Sequence, residues 1–362
     1  SIPEPTSIPE PTSIPEPTRS NPPEPDVDWA IFIPAVIIVL VGAIPLMIFP
    51  DSAAQLLGEA RKAIMDNFLW LYLVIALGAF VFCMWLAFGR YGHVKLGAAD
   101  EPPEYSDAHW VAMMFTTAIG ASVIAWGFAE PIYYLQSPPL GIAVGSSQSF
   151  EWAHMYPLLH WGIIPWSIYA MPAVPIAYML YVKRYPTLRI SSACDGALPK
   201  TGRAQIKTLI DIFIVLGIVG AVATSLGLGV PLLSAMLSTL LGIADSMAIK
   251  MGVLALWTLL FGASVYRGLK SGIKILADIN IVLAFITIAI VLIAGPTVFI
   301  LDLSVNSLGL MFNNFMQTST WTDPIDNSSF PQDWTGFYWA WWLAYIGMVG
   351  LFYGRISRGR TI

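Results

Sequence analysis

Charged side chains are scarce in this chain of 362 residues: only 11% of the residues are charged, whereas 56% are hydrophobic. Soluble domains carry roughly 25% charged residues, because water must wet their surface. The composition therefore indicates an integral membrane protein. The net charge of −5 also lacks the basic excess that binding to nucleic acid requires, so we expect no nucleic-acid partner.

Cysteine and catalytic motifs are scarce as well. Cys83 and Cys194 lie far apart in the sequence, which excludes a disulfide framework and a cysteine metal site. His154 and His160 are six residues apart, so they do not form the i, i+4 pair of a helical metal site. No nucleophile or phosphate-binding motif is present, and we predict neither catalytic residues nor a metal or other cofactor.

The first segment repeats Ser-Ile-Pro-Glu-Pro-Thr three times between Ser1 and Thr18. Proline at this density disfavours helices and leaves little to bury, so residues 1–28 are predicted to be a disordered cytoplasmic tail. A ligand for a proline-recognising domain is an alternative to a plain linker. The sequence starts with Ser and stops soon after several arginines, and we expect it to be a fragment.

Apolar runs of about 20 residues, long enough to cross a bilayer, recur from residue 29 onward. We predict eight spans: Ala30–Phe49, Phe68–Phe88, Trp110–Leu135, Ala153–Val182, Leu209–Leu237, Met251–Tyr266, Ile275–Leu301 and Trp334–Tyr353. The stretch 302–320 mixes apolar residues with Asn and Ser, a pattern typical of a helix along the membrane interface.

Positive charge supports this order of spans, because cytoplasmic loops retain Lys and Arg. With the tail inside, 15 of the 18 Lys and Arg residues lie on one side, and only Arg61, Lys62 and Lys250 lie on the other. The N-terminus is therefore predicted to be cytoplasmic. Arg355, Arg358 and Arg360 are interpreted first as topology anchors.

Aromatic residues are unusually frequent inside two spans, at His160–Tyr169 and at Trp334–Tyr345. A quaternary ammonium or sulfonium group cannot donate hydrogen bonds, but the face of a desolvated aromatic ring attracts it by about 2 kcal/mol or more. Several such rings would bind this cation without a carboxylate. The sequence thus favours an onium solute as the substrate.

The third span contains small and hydroxylated residues in Ala118-Ile119-Gly120-Ala121-Ser122. Such residues allow close helix packing, or local unwinding in mid-membrane that frees carbonyl groups for a substrate or ion. The segment alone leaves both interpretations open. Together with the two aromatic clusters it favours transport.

Several motifs carry a resemblance to a known family. They are Met113-Met114-Phe115, Trp126-Gly127 with Glu130-Pro131, His160-Trp161-Gly162 through Pro165-Trp166, Ser225-Leu226-Gly227-Leu228-Gly229, Trp339-Ala340-Trp341-Trp342, and Gly354-Arg355-Ile356-Ser357-Arg358-Gly359-Arg360-Thr361. In this order they resemble the betaine/carnitine/choline transporters, from about Trp29 to the last residue.

The resemblance implies an all-α carrier of the leucine-transporter type, in which two leading helices precede two five-helix inverted repeats. Residues 29–362 would form this transmembrane domain, with eight helices present and the second repeat truncated. The resemblance also implies a multi-pass protein of the plasma membrane and a homotrimer. Its partners would be the lipid bilayer and a small onium solute. That solute would be carnitine, glycine betaine, choline or dimethylsulfoniopropionate.

The resemblance places a substrate-binding aromatic box in the chain, with a further tyrosine along the pathway. The box would comprise Tyr133, Trp161, Trp166, Tyr169, Trp341 and Trp342, and Tyr345 would line the pathway. The unwound or gating segment would be Ala118, Ile119, Gly120, Ala121 and Ser122. Glu130 beside that segment would be a structural or gating partner.

Sodium coupling stays open. Sodium-coupled members carry hydroxyl groups at positions that here resemble Ile218 and Val222, which argues against sodium at that site. Symport and sodium-independent exchange are both compatible with the sequence. Two other functions remain alternatives: a membrane enzyme acting on lipid through His154, His160 and Glu130, and a scaffold or sensor that recruits partners through its Pro-rich tail.

Overall fold

The computed structural model describes residues 27–118, 121–185, 189–266 and 269–362, and these residues are mainly α-helical. Their α-helices are α1 (Trp29–Ile48), α2 (Pro50–Phe88), α3 (Asp107–Ala118), α4 (Ala121–Gln136), α5 (Ser147–Trp161), α6 (Ile163–Ala177), α7 (Ile190–Ala193), α8 (Arg203–Leu241), α9 (Met247–Tyr266), α10 (Leu269–Ala294), α11 (Thr297–Asn313), α12 (Phe315–Thr320) and α13 (Phe337–Ile356). Tyr178–Val182 and Pro331–Gly336 are π-helical. The described residues form no strand longer than the isolated bridge between Lys95 and Thr361.

Several helices are long and apolar enough to cross a membrane. Among the described residues four segments qualify: Trp29–Ile48, Pro50–Phe88, Ser147–Val182 and Arg203–Leu241. The pair Asp278–Ala294 and Thr297–Asn313, bent by 116°, would make a fifth, and Met247–Ala263 is a shorter apolar helix. The helical membrane-type architecture is thus confirmed, whereas eight spans and inverted repeats stay predictions.

The second helix is longer than the apolar run around which it was predicted. It begins at Pro50, at the first helical position, where the missing N–H of proline costs no hydrogen bond. The polar stretch before Phe68 continues the same helix. There the Arg61 guanidinium lies 2.8 Å from the Asp333 carboxylate.

The seventh predicted span ends earlier than expected. Helix α10 stops at Ala294, not at Leu301, because Pro296 lacks the N–H that a continuing helix needs. Helix α11 starts at Thr297, so the predicted interfacial stretch 302–320 covers most of α11 and all of α12.

The fourth predicted span is interrupted at Gly162. Helix α5 ends at Trp161 and α6 begins at Ile163, and a Cβ at position 162 would lie 2.2 Å from the Leu158 carbonyl oxygen. Only glycine fits this close approach. The indole of Trp166 then donates to the free Trp161 carbonyl at 3.0 Å, which satisfies a group left over at the end of α5.

Helix α13 packs closely against α6 along a glycine seam. A Cβ at Gly350 would lie 2.7 Å from Cγ of Pro172, and one at Gly354 would lie 2.8 Å from Cγ2 of Ile176. Small residues let two helix backbones approach in this way. The seam places the aromatic residues of α6 and α13 beside one another.

The loop after α2 is tied to the end of α13 by backbone hydrogen bonds, and we call this pairing of residues 94–96 with 359–362 the terminal strap. Leu96 donates to the Arg360 carbonyl at 2.7 Å and accepts from Gly359 at 2.8 Å. Ile362 donates to the Val94 carbonyl at 3.1 Å. Beside the strap, Arg355, Arg358 and Arg360 pair with Glu104, Glu101 and Asp107, respectively.

Candidate functional site

The aromatic rings of α5, α6 and α13 meet around Trp342. Its ring centroid lies 4.6 Å from that of Tyr169, 5.7 Å from that of Trp161 and 6.1 Å from that of Trp166. Trp341 completes the group, with its centroid 6.3 Å from that of Trp161. We call these five residues the ring cluster. It joins five of the six residues predicted for the aromatic box.

The ring cluster is largely shielded from solvent. Trp342 and Tyr169 are each 4% exposed, and the other three side chains are partly buried. Tilted and edge-on arrangements prevail among the rings, as their quadrupoles prefer. A desolvated group of this kind presents negative ring faces to a cation without placing a carboxylate against it.

Glu130 of α4 lies behind the ring cluster and is fully buried. Its Oε1 accepts from the Trp161 indole N–H at 2.5 Å and from the hydroxyl of Tyr338. Its Oε2 accepts from the hydroxyl of Tyr134 at 3.1 Å. One buried carboxylate therefore accepts from three donors. One donor is on α4, as Glu130 itself is, and the other two are on α5 and α13.

His160 continues this hydrogen-bond network. Its Nδ1 lies 2.9 Å from the hydroxyl of Tyr134, and its Nε2 lies 3.1 Å from the hydroxyl of Thr335. The imidazole also stacks on the ring of Tyr338, with centroids 4.7 Å apart. The histidine is thus a packed and fully hydrogen-bonded residue.

A comparison with known protein families shows which family the chain belongs to. The model of the family described as BCCT, betaine/carnitine/choline family transporter, matches residues 30–362. The chain belongs to this family. BCCT proteins are membrane transporters of betaine-, carnitine- and choline-type solutes, not enzymes.

Two predicted BCCT site residues lie outside the ring cluster. Tyr133 is 49% exposed, and its ring packs on Trp334 with centroids 5.5 Å apart. Tyr345 bonds instead to α8: its hydroxyl donates to the Ala221 carbonyl at 2.9 Å and contacts the hydroxyl of Ser225. Neither residue is a member of the ring cluster, so their roles stay predictions.

The predicted unwound segment of this BCCT chain lies between α3 and α4. Helix α3 ends at Ala118 and α4 begins at Ala121. Ile119 and Gly120 lie outside the described residues, and only the backbone is described for Ala118, Ala121 and Ser122. The gating role of these five residues therefore remains a prediction.

Sequence reasoning missed three residues that support the ring cluster. Tyr134 and Tyr338 bind Glu130, and Phe115 stacks on Trp166 with centroids 6.1 Å apart and planes within 10°. Tyr134 follows Glu130 by four residues, so their shared helix face was a usable signal. Tyr338 is 208 residues away from Glu130, and nothing local points to that contact.

The structure also bears on the metal and enzyme alternatives. Within the described ranges, no group of three or more His, Cys, Asp or Glu residues could hold a metal ion. His154 lies 2.9 Å from the hydroxyl of Ser307 on α11, whereas His160 and Glu130 share the network with Tyr134. The three residues required for a lipid enzyme are thus divided between two settings.

Proposed function

We propose that this protein is a secondary transporter that carries a small quaternary ammonium or sulfonium solute by alternating access. The ring cluster would hold the cationic head group. The observation that carries this proposal is the contact of Trp342 with three other rings, Trp161, Trp166 and Tyr169, in a largely buried place. Carnitine, glycine betaine, choline and dimethylsulfoniopropionate are the candidate solutes.

Alternating access requires that the two helix systems bearing the rings can separate. The rings come from the α5–α6 pair on one side and from α13 on the other, and Gly350 and Gly354 lie in the close contact between α6 and α13. Movement along that seam would change the distance between Trp342 and the rings of α5 and α6. This is why we propose a moving site in preference to a static binding module.

The test is solute binding and uptake by the full-length protein in proteoliposomes. Trp342→Leu should weaken binding of the onium solutes by roughly tenfold or more, because one desolvated ring contributes about 2 kcal/mol. Trp70→Leu is a matched control, since Trp70 is 57% exposed on α2. Equal effects of the two substitutions, or no saturable binding of any of the four solutes, would contradict the proposal.

We also propose a cytoplasmic N-terminus, a plasma-membrane location and a homotrimer. The strongest support for the orientation is the distribution of 15 of 18 cations on one side of the predicted spans. Labelling of single cysteines introduced near Lys95 and near Lys250 from each side of sealed vesicles tests it. Crosslinking in the membrane tests the trimer.

Symport and exchange give different results in counterflow. Proteoliposomes loaded with solute should show uptake without a sodium gradient if the protein exchanges solutes. A requirement for external sodium would instead support symport. Deletion of residues 1–28 addresses the scaffold alternative, because a plain linker tolerates removal and a recruiting segment does not.

A further inference from the structure

Glu130 is a buried carboxylate whose charge is not balanced by the surrounding described residues. Its side chain is fully buried, and His160 is the one basic group of the described chain within ion-pair distance, at 3.9 Å from Nδ1 to Oε2. Hydrogen bonds reduce the cost of burying a carboxylate, but an unpaired buried charge remains unfavourable. A cation nearby would lower this cost.

The geometry around His160 fits a neutral imidazole. The Tyr134 hydroxyl donates to Glu130, so Nδ1–H donates to the Tyr134 oxygen, and in the neutral ring Nε2 accepts from the Thr335 hydroxyl. Each ring nitrogen then has one role, as in the uncharged ring. In this neutral form His160 supplies no positive charge to Glu130.

Glu130 is connected to the ring cluster through one direct contact. The Trp161 indole N–H donates to Oε1 at 2.5 Å, and a carboxylate acceptor strengthens such a hydrogen bond. A carboxylate bound to the indole N–H pushes electron density into the ring, so the face of Trp161 becomes more negative. The same ring lies 5.7 Å from that of Trp342.

We infer that Glu130 is the remote counter-charge of the transported cation and acts on it through the indole of Trp161. This inference rests on the proposed function and assigns one determinant of its specificity. The carboxylate never touches the solute. It makes one wall of the ring cluster more attractive to a cation, and the bound cation in turn balances the buried charge.

Charge, more than shape, then selects the solute. A tert-butyl group has the shape of a trimethylammonium group without its charge, and it gains nothing from Glu130. A solute carboxylate is repelled by Glu130, so a zwitterion such as glycine betaine binds with its acid directed away from Trp161. The ring face of Trp161 binds the positively charged end of the solute.

The test compares choline with its neutral isostere, in which tert-butyl replaces trimethylammonium. Binding to the full-length protein is measured for wild type, Glu130→Gln, Trp161→Phe and the double variant. Glu130→Gln should weaken choline binding by about tenfold, the range expected for a desolvated cation–π contact, and leave the isostere unchanged. The loss should shrink in the Trp161→Phe background, where the N–H contact is absent.

Glu130→Asp keeps the charge and should retain the preference for choline over the isostere. If Glu130→Gln does not fold, Trp161→Phe alone should lower the same preference. Equal losses for choline and the isostere, or an unchanged preference in Glu130→Gln, overturn the inference. Absence of choline, betaine and carnitine binding in the wild type would instead overturn the proposed function.

Discussion

The carboxylate of Glu130 and those of Glu101, Glu104 and Asp107 have opposite surroundings. The last three lie beside the terminal strap, and each pairs with an arginine, at 2.5 Å, 3.1 Å and 2.8 Å, respectively. Glu130 is fully buried and accepts from two tyrosines and a tryptophan. The carboxylates beside the strap are thus paired with charged arginines, whereas the interior carboxylate is bound by uncharged hydrogen-bond donors.

The difference has a physical cause. At the strap, each ion pair has one well-exposed partner, so water screens the pair and it adds little. In the interior, loss of Glu130 would leave three buried donors without an acceptor. The two regions should therefore respond very differently to the same kind of substitution.

The largest effect is expected for Glu130→Leu. Trp161, Tyr134 and Tyr338 would each lose a buried acceptor, at about 1–3 kcal/mol for each donor. A large fall in the melting temperature of the detergent-solubilised protein should follow, measured by intrinsic fluorescence. Glu130→Gln is the matched control and should fall less, since its amide oxygen still accepts. Equal melting temperatures for Glu130→Leu and wild type would contradict the network.

A smaller effect is expected for His160→Phe. The ring stack on Tyr338 survives, but Tyr134 and Thr335 lose a partner, at roughly 1–3 kcal/mol in total because hydroxyl groups can turn to new partners. The same unfolding measurement applies. His154→Phe, at a half-buried pair with Ser307, is the comparison and should cost less. The reverse order would mean that His160 is not the better connected histidine.

Asp107→Asn should change stability by at most about 1 kcal/mol, because the Asp107 side chain is 90% exposed and its pair with Arg360 is screened. Raising the salt concentration should remove even this difference, while the difference between Glu130→Leu and wild type persists. A salt-sensitive effect at Glu130 would erase the contrast between the two regions.

The smallest expected effect is a change in the stability of the fold at low pH. The Ala98 N–H, which donates to Glu101 at 3.0 Å, and then Arg358 hold the pKa of Glu101 below its ordinary value of 4.5. A carboxyl group with a lowered pKa in the folded state stabilises the fold above pH 4.5 and loses that contribution as the pH falls further. Glu101→Gln should therefore melt slightly below wild type at pH 7, and the gap should narrow in acid. A difference in melting temperature that grows as the pH falls would contradict this prediction.

The sequence predicted the helical membrane architecture because long apolar runs determine it. It also placed Trp161, Trp166, Tyr169, Trp341 and Trp342 in one site, through a resemblance that the family match supports. Helix ends were harder to predict. Helix α2 starts at Pro50, but the polar residues before Phe68 concealed this start. Within that polar stretch, Arg61 pairs with Asp333.

The network around Glu130 could not be read from the sequence. A lone glutamate in an apolar stretch indicates function, but its partners come from α4, α5 and α13 and meet only in the folded chain. Tyr133 and Tyr134 are adjacent and both rings pack on Trp334, yet Tyr133 is 49% exposed whereas Tyr134 is fully buried. One step along a helix separates these two surroundings.

The terminal strap has a mechanical consequence. Its backbone hydrogen bonds fasten the connection that leads into α3 to the segment that leaves α13. The loop before α3 and the end of α13 are therefore held together, so a displacement of one is passed to the other. Any movement that separates the loop before α3 from the end of α13 would have to break these backbone hydrogen bonds.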